Sequence, residues 1–84
     1  MAKPLVFTAH ARQVMAEREL DMEWVERTAR YPEWTERDPD SEVERRFRLV
    51  PERGRRILRV ACVESAHDIR IVSTFLDRRA RRPE

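Results

Sequence analysis

The sequence predicts an α+β domain in which two helices pack on one face of an antiparallel sheet. Apolar residues recur with a period near 3.6 as far as Pro32 and with a period near 2 from residue 44 onwards. The length supports a single core, because 84 residues are too few for two domains. We therefore expect one domain over 1–84, with a folded core at 6–76 and a basic tail at 77–84.

The N-terminal half is predicted to hold a short strand at 5–7 and then a helical hairpin. Thr8 is placed to cap a helix over 9–18, because its hydroxyl can accept a free N–H of the first turn. Asp21 is placed to cap a second helix, which Pro32 stops because proline cannot continue it. The stripe of the first helix is Ala11, Val14, Met15 and Arg18, where the arginine at the end favours the helix dipole, and the expected buried stripe of the second is Trp24, Val25, Thr28 and Ala29.

The C-terminal half is predicted to form a three-stranded antiparallel meander over roughly 44–50, 55–63 and 67–76. Gly54 can take the positive φ that the first hairpin turn requires. The polar stretch 33–43 is expected to be a loop, and the N-terminal strand is expected to pair at one edge of the sheet.

Alternation along the strands predicts which side chains face the helices. Counting by twos places one set of apolar residues inward: Phe47, Leu49, Leu58, Val60, Cys62, Ile69, Ile71 and Phe75. The opposite face then carries Arg46, Arg48, Arg59 and Arg70, with Ile57, Ala61, Val72 and Thr74 between them. The sequence thus predicts a basic, uncovered sheet face.

Charge is strongly segregated along the chain. Residues 33–44 hold six acidic side chains and one arginine, whereas residues 45–59 hold seven arginines and one glutamate. Arginines on a bare sheet face can be ordinary solubilising charge. Four like charges on one face repel one another, however, so either the acidic stretch folds over them or an anionic partner binds there.

Several classes of protein are disfavoured by composition. A single cysteine excludes an intramolecular disulfide, and one cysteine with two distant histidines, His10 and His67, does not make a zinc site. No apolar run approaches the roughly 20 residues of a membrane span, and the apolar run at the N-terminus is short for a signal peptide. We expect a cytoplasmic protein without metal or cofactor, with Cys62 an inert buried thiol.

Motifs along nearly the whole chain, from about Val6 to Arg79, resemble a bacterial family of unknown function labelled DUF4258. They are His10–Ala11, Glu17–Arg18, Trp24–Val25–Glu26 with Pro32, Arg46–Phe47–Arg48, and Phe75–Leu76–Asp77–Arg78–Arg79. Glu19 departs from the pattern, since the family often has a glycine after the first helix. The order of elements is more distantly similar to RelE/ParE and BrnT-like toxins, several of which are metal-independent ribonucleases.

Metal-independent RNA cleavage needs a general base, a general acid and cations at the phosphate. His10 and Glu17 lie two turns apart on the first helix, with Arg18 beside Glu17, so these three are the candidate catalytic residues. A structural His10 bonded to backbone near Thr8, and a surface Glu17–Arg18 pair, are the alternatives. The candidate phosphate contacts are Arg46, Arg48, Arg59, Arg70, Arg78 and Arg79. Trp34, in the polar stretch, is a candidate for stacking on a base.

The leading functional hypothesis is a toxin-like protein of a toxin–antitoxin type system. It would contact RNA, including ribosome-associated mRNA, through its basic face, with an antitoxin or other acidic protein as a second partner. Whether it also cleaves RNA is open. The rival hypothesis is a non-catalytic protein-binding module whose arginines dock an acidic partner segment.

Overall fold

The computed structural model describes residues 2–83 and consists of one five-stranded sheet with two helices on one face. The strands lie in the order β1-β5-β4-β3-β2, and only β1 and β5 are parallel. The α+β prediction is confirmed, with the N-terminal strand at one edge. The elements in chain order are β1 (Leu5–Phe7), α1 (Ala9–Glu17), α2 (Met22–Arg30), β2 (Trp34–Arg37), β3 (Glu44–Val50), β4 (Arg56–Glu64) and β5 (Ile69–Leu76), with a 3-10 turn at Pro51–Arg53.

Both helices begin where the sequence places their caps. The Thr8 Oγ1 accepts a hydrogen bond from the Ala11 N–H at 3.1 Å, and an Asp21 carboxylate oxygen accepts one from the Glu23 N–H at 2.9 Å. Between the helices, Glu19 has a φ of 53°, a left-handed conformation that glycine adopts without strain. The departure from the family pattern at Glu19 therefore affects only the turn.

The stretch after Pro32 contains a strand that the sequence analysis assigned to a loop. Trp34–Arg37 pairs with β3 in antiparallel register, with Trp34 opposite Phe47. This four-residue strand lies at the sheet edge and holds one apolar residue, so it has no alternation to detect. The meander has four strands rather than three.

The predicted faces of β3 are reversed in the structure. Phe47 lies opposite Arg59 of β4, whereas Arg46 lies opposite Val60 and Arg48 opposite Leu58. Since Leu58 and Val60 belong to the core beneath the helices, Arg46 and Arg48 point to the helix side and Phe47 to the other side. The loop at 51–55 sets this register by pairing Val50 with Arg56.

A β-bulge changes the facing of residues along β5. Ile71 pairs with Cys62 and Ser73 with Ala61, so Val72 is the extra residue. After the bulge Thr74 is fully buried on the helix side, and Phe75 lies on the opposite face beside Arg59. The predicted positions of Thr74 and Phe75 were wrong because a period of exactly 2 cannot anticipate an inserted residue.

The core lies between the helices and the sheet, and the C-terminal segment returns across the strands. Buried core residues come from both helices, from the connection between them, and from β3, β4 and β5: Ala11, Met15, Leu20, Val25, Ala29, Val50, Leu58, Val60, Cys62, Ile69 and Ile71. Residues 78–83 form no helix or strand. Asp77 pairs with Arg59, and Arg82 forms an ion pair with Glu33 just before β2. The last residue of the predicted tail, at 84, lies outside the described residues.

Candidate functional site

Arg46 is a structural residue that joins α2 to the sheet. Its guanidinium donates to Glu44 Oε1 at 2.6 Å, to the Ala29 carbonyl at 2.7 Å and to Glu64 Oε1 at 2.6 Å. The Ala29 carbonyl lies in the last turn of α2, where carbonyls lack helical partners and a cation is favoured. Hydrogen bonds from Lys3 and then Arg46 lower the pKa of Glu64 to about 2. Arg46 is therefore not free to bind phosphate.

Arg46→Ala is expected to lower the free energy of unfolding by about 2–3 kcal/mol. The change removes the donor to the Ala29 carbonyl and leaves Glu44 without its guanidinium partner, while Glu64 keeps Lys3 at 2.7 Å. Urea unfolding measures the effect. Arg45→Ala is the matched control, because Arg45 lies opposite Ala61 and has no ion pair within residues 2–83. Equal midpoints for the two variants would contradict the assigned role.

Two more predicted phosphate contacts also have partners within the protein. Arg48 donates to the Tyr31 carbonyl at 2.7 Å, beyond the last turn of α2. Arg59 lies on the opposite face, where its guanidinium carbon is 4.2 Å from the Phe75 ring centroid and its Nη1 is 3.5 Å from Asp77 Oδ2. The prediction that Arg46, Arg48, Arg59 and Arg70 form one uncovered surface is wrong.

The open face of the sheet, which is the side away from the helices, carries three aromatic rings in line with Arg59 instead of a row of arginines. Trp34, Phe47, Arg59 and Phe75 lie opposite one another on four successive strands. The rings of Trp34 and Phe47 are stacked, with centroids 4.9 Å apart and an angle of 4° between their planes. Phe47 is only 2% exposed. Trp34, predicted to stack on a base, stacks on Phe47.

An arginine pocket does exist, at the end of the sheet where β4 begins and β5 ends. Its lining consists of Arg18, Arg53, Arg56, Phe75, Leu76 and Arg78, around a volume of about 240 Å³. The four arginines come from four segments: the end of α1, the turn before β4, the start of β4, and the chain after β5. Tertiary structure thus brings together charges that are up to 60 residues apart in sequence.

No acidic side chain lines this arginine pocket, and within residues 2–83 none of its four arginines forms an ion pair. Among contacts within residues 2–83, Arg53 is the one of the four whose side chain has partners, since its Nη1 donates to the Glu19 carbonyl at 3.3 Å and its guanidinium lies 5.8 Å from the Trp24 ring centroid. Guanidinium groups suit phosphate oxygens because their N–H groups form a planar fork. The arginine pocket is the candidate functional site.

The opposite end of the sheet is acidic. A second pocket there is lined by Glu42, Glu44 and Glu64 together with Arg37, Ser41, Arg46 and Val63. Arg56 and Glu64 are the first and last residues of β4, so the two ends are separated by about 27 Å of strand. Acidic and basic residues, which are segregated along the sequence, are therefore also segregated along the strand direction.

The predicted catalytic residues are spread along α1. His10 is exposed in the first turn, and Glu17 lies in the last turn, where Oε1 accepts a hydrogen bond from Gln13 at 2.9 Å. A rise of about 1.5 Å per residue puts His10 roughly 12 Å from Arg18 along the helix. A structural His10 would be partly buried, so its exposure contradicts that alternative. Of the three, only Arg18 lines the arginine pocket.

Of the other predicted phosphate contacts, Arg78 lines the arginine pocket and Arg70 and Arg79 do not. Arg70 is exposed on the open face, and the Arg79 backbone N–H donates to Asp77. Sequence reasoning missed Arg53 and Arg56. The signal was present in "PERGRR", because arginines flanking a hairpin turn must lie at the end of the sheet rather than along its face.

The positions of Cys62, His67 and Trp24 confirm three further predictions. Cys62 is fully buried, and burial raises the pKa of its thiol, as expected for an inert side chain. His67 is exposed in the turn between β4 and β5. Trp24 packs against the core.

Fold and pocket together define a small α+β protein with an arginine-lined pocket at one end of its sheet. The chain belongs to the family whose model is described as Domain of unknown function (DUF4258), which matches residues 7–75. Comparison with curated proteins and with solved structures gave no match. The more distant similarity to RelE/ParE and BrnT-like toxins stays a prediction. Neither helix in residues 2–83 is long and apolar enough to cross a membrane.

Proposed function

We propose that this protein is a toxin-like RNA-binding protein that holds RNA phosphates in its arginine pocket. The observation that supports this most directly is the convergence of Arg18, Arg53, Arg56 and Arg78 without an acidic side chain in the lining. Like charges that line one pocket repel one another in the free protein, and a bound anion relieves the repulsion. The cytoplasmic location follows from this role and is proposed with it.

An RNA backbone meets both a cationic and an apolar surface here. Phe75 and Leu76 complete the arginine pocket, and a neighbouring depression is lined by Arg55, Arg56, Ile57, Asp77, Arg78 and Ala80. The two share Arg56 and Arg78, so successive phosphates can lie along one continuous basic track. Contacts of this kind fix the position of the backbone and do not read sequence.

The salt dependence of RNA binding tests this proposal. For single-stranded RNA, log K should fall with log[salt] at a slope near −0.7 per phosphate contact. Arg56→Ala is expected to flatten the slope by about 0.7 and to weaken RNAs of different sequence alike. Fluorescence anisotropy between 50 and 300 mM salt, roughly the range in which such slopes are resolved, gives both quantities.

Arg37→Ala is the matched control, because it removes the same charge from an exposed strand residue at the acidic end of the sheet. Its slope should equal that of the wild type. A slope of zero, or equal changes in the Arg37 and Arg56 variants, would remove the arginine pocket from the function.

The second candidate is a non-catalytic module that docks an acidic partner segment, which the same four arginines favour because carboxylates also accept bidentate hydrogen bonds. An antitoxin or another acidic protein would be such a partner. An acidic peptide competing with RNA at the arginine pocket is compatible with both candidates. Tight binding of the peptide with no binding of RNA would select this second candidate.

A further inference from the structure

The number of charges in the arginine pocket indicates which part of an RNA it holds. An internal phosphodiester carries one negative charge, whereas a terminal phosphate carries about −1.5 to −2 at pH 7 and offers three acceptor oxygens. Four guanidiniums lining one pocket exceed what a single internal phosphate neutralises. Building on the proposed function, we propose that this pocket binds the terminal phosphate of an RNA chain.

The size of the arginine pocket agrees with a terminal group. Its volume of about 240 Å³ is below the roughly 300–1,000 Å³ of pockets that enclose a whole small ligand. Arginines from four separate segments surround this space. An internal phosphate needs room for the chain to enter and to leave, whereas a terminal phosphate needs only one exit.

The exit is the adjoining depression. It shares Arg56 and Arg78 with the arginine pocket and adds Arg55, which is exposed. The one acidic residue there, Asp77, already pairs with Arg59. The terminal phosphate therefore occupies the arginine pocket while the next, internal phosphate lies beside Arg55.

Phe75 limits how the terminal nucleotide can lie. The Arg59 guanidinium covers its ring at 4.2 Å, so that face of the ring is occupied. A base therefore cannot stack on that face, and selectivity at the terminus is expected to come from the phosphate. RNA ends of different sequence are expected to bind alike.

The experiment compares unlabelled RNAs of one sequence that end in a 5′-hydroxyl, a 5′-phosphate or a 3′-phosphate, as competitors against one labelled RNA. One of the phosphorylated RNAs is expected to bind about tenfold more tightly than the hydroxyl-ended RNA. Arg56→Ala and Arg78→Ala should abolish that difference, and Arg37→Ala should preserve it. Circular dichroism confirms that each variant is folded.

The outcomes separate this inference from the proposed function. Equal binding of all three RNAs overturns the inference and leaves RNA binding intact, whereas no binding of any RNA overturns both. Competition with inorganic phosphate distinguishes a site for a free anion from a site for an RNA end. If it displaces the labelled RNA at the same concentration as the phosphorylated RNA does, the pocket is a site for free phosphate and the inference is wrong.

Discussion

Replacing Phe47 with alanine is expected to lower the free energy of unfolding by about 3–5 kcal/mol, the usual range for deleting a buried aromatic ring. The ring is 2% exposed and stacks on Trp34 with centroids 4.9 Å apart, so its loss opens a cavity and removes the ring on which Trp34 of the edge strand β2 stacks. Since domains of this size are stable by only several kcal/mol, the variant should be largely unfolded at 37 °C, roughly physiological temperature. Urea unfolding with tryptophan fluorescence measures the change.

Phe47→Leu is the matched control for this prediction. It keeps an apolar side chain of similar volume and removes the ring stacking, so a cost below about 1.5 kcal/mol is expected. An alanine variant with the midpoint of the wild type would show that the contact with Trp34 contributes little. The comparison therefore separates the loss of apolar volume from the loss of stacking.

If His10 is a general acid or base, as predicted from the sequence, His10→Ala is expected to reduce RNA cleavage by roughly 10²–10⁴-fold. Binding and its salt slope should be unchanged, because the histidine lies at the far end of α1 from Arg18 and outside the arginine pocket. Stability should also be unchanged, since the side chain is exposed. A time course on labelled RNA measures turnover, in excess EDTA for free RNA and with Mg²⁺ retained for ribosome-bound RNA.

Glu17→Gln is the companion variant, because it keeps the shape of the side chain that accepts the hydrogen bond from Gln13 and removes the charge. A role for Glu17 in proton transfer predicts a comparable loss of cleavage. Wild-type protein that leaves RNA intact at every concentration would rule out the nuclease while leaving RNA binding in place. Equal cleavage by the wild type and the His10 variant would assign the chemistry elsewhere.

Three uses of arginine bear on the fold and the candidate site of this small protein. Arg46 and Arg48 satisfy carbonyls at the end of α2, Arg59 stacks on Phe75 and pairs with Asp77, and the remaining use is the arginine pocket. The first two are structural, which is why arginine alternates with core residues along β3 and β4. Only the third brings several guanidinium groups together around one pocket with no acidic side chain in its lining.

The sequence by itself determined where the helices begin and end, where the hairpin between β3 and β4 turns, and the α+β class. Thr8, Asp21, Pro32 and Gly54 do this through contacts within a few residues, and Gly54 indeed has a φ of 66°. The motifs also identified the family correctly. Such features depend on residues that are close together in the chain, so they can be predicted from the sequence alone.

Only the tertiary structure decided which face each strand presents and which arginines meet. The side of the sheet to which each side chain points depends on the pairing of Phe47 with Arg59 and on the bulge at Val72. It also depends on the carbonyls at the end of α2, which accept hydrogen bonds from arginines of β3. None of these features is encoded within a single strand. The arginine pocket depends on them too, because Arg18 and Arg78 reach Arg53 and Arg56 only once α1 and β5 end beside the hairpin turn. A sheet changes the facing of every side chain when its register shifts by one residue, so the surface chemistry of this protein follows from long-range pairing.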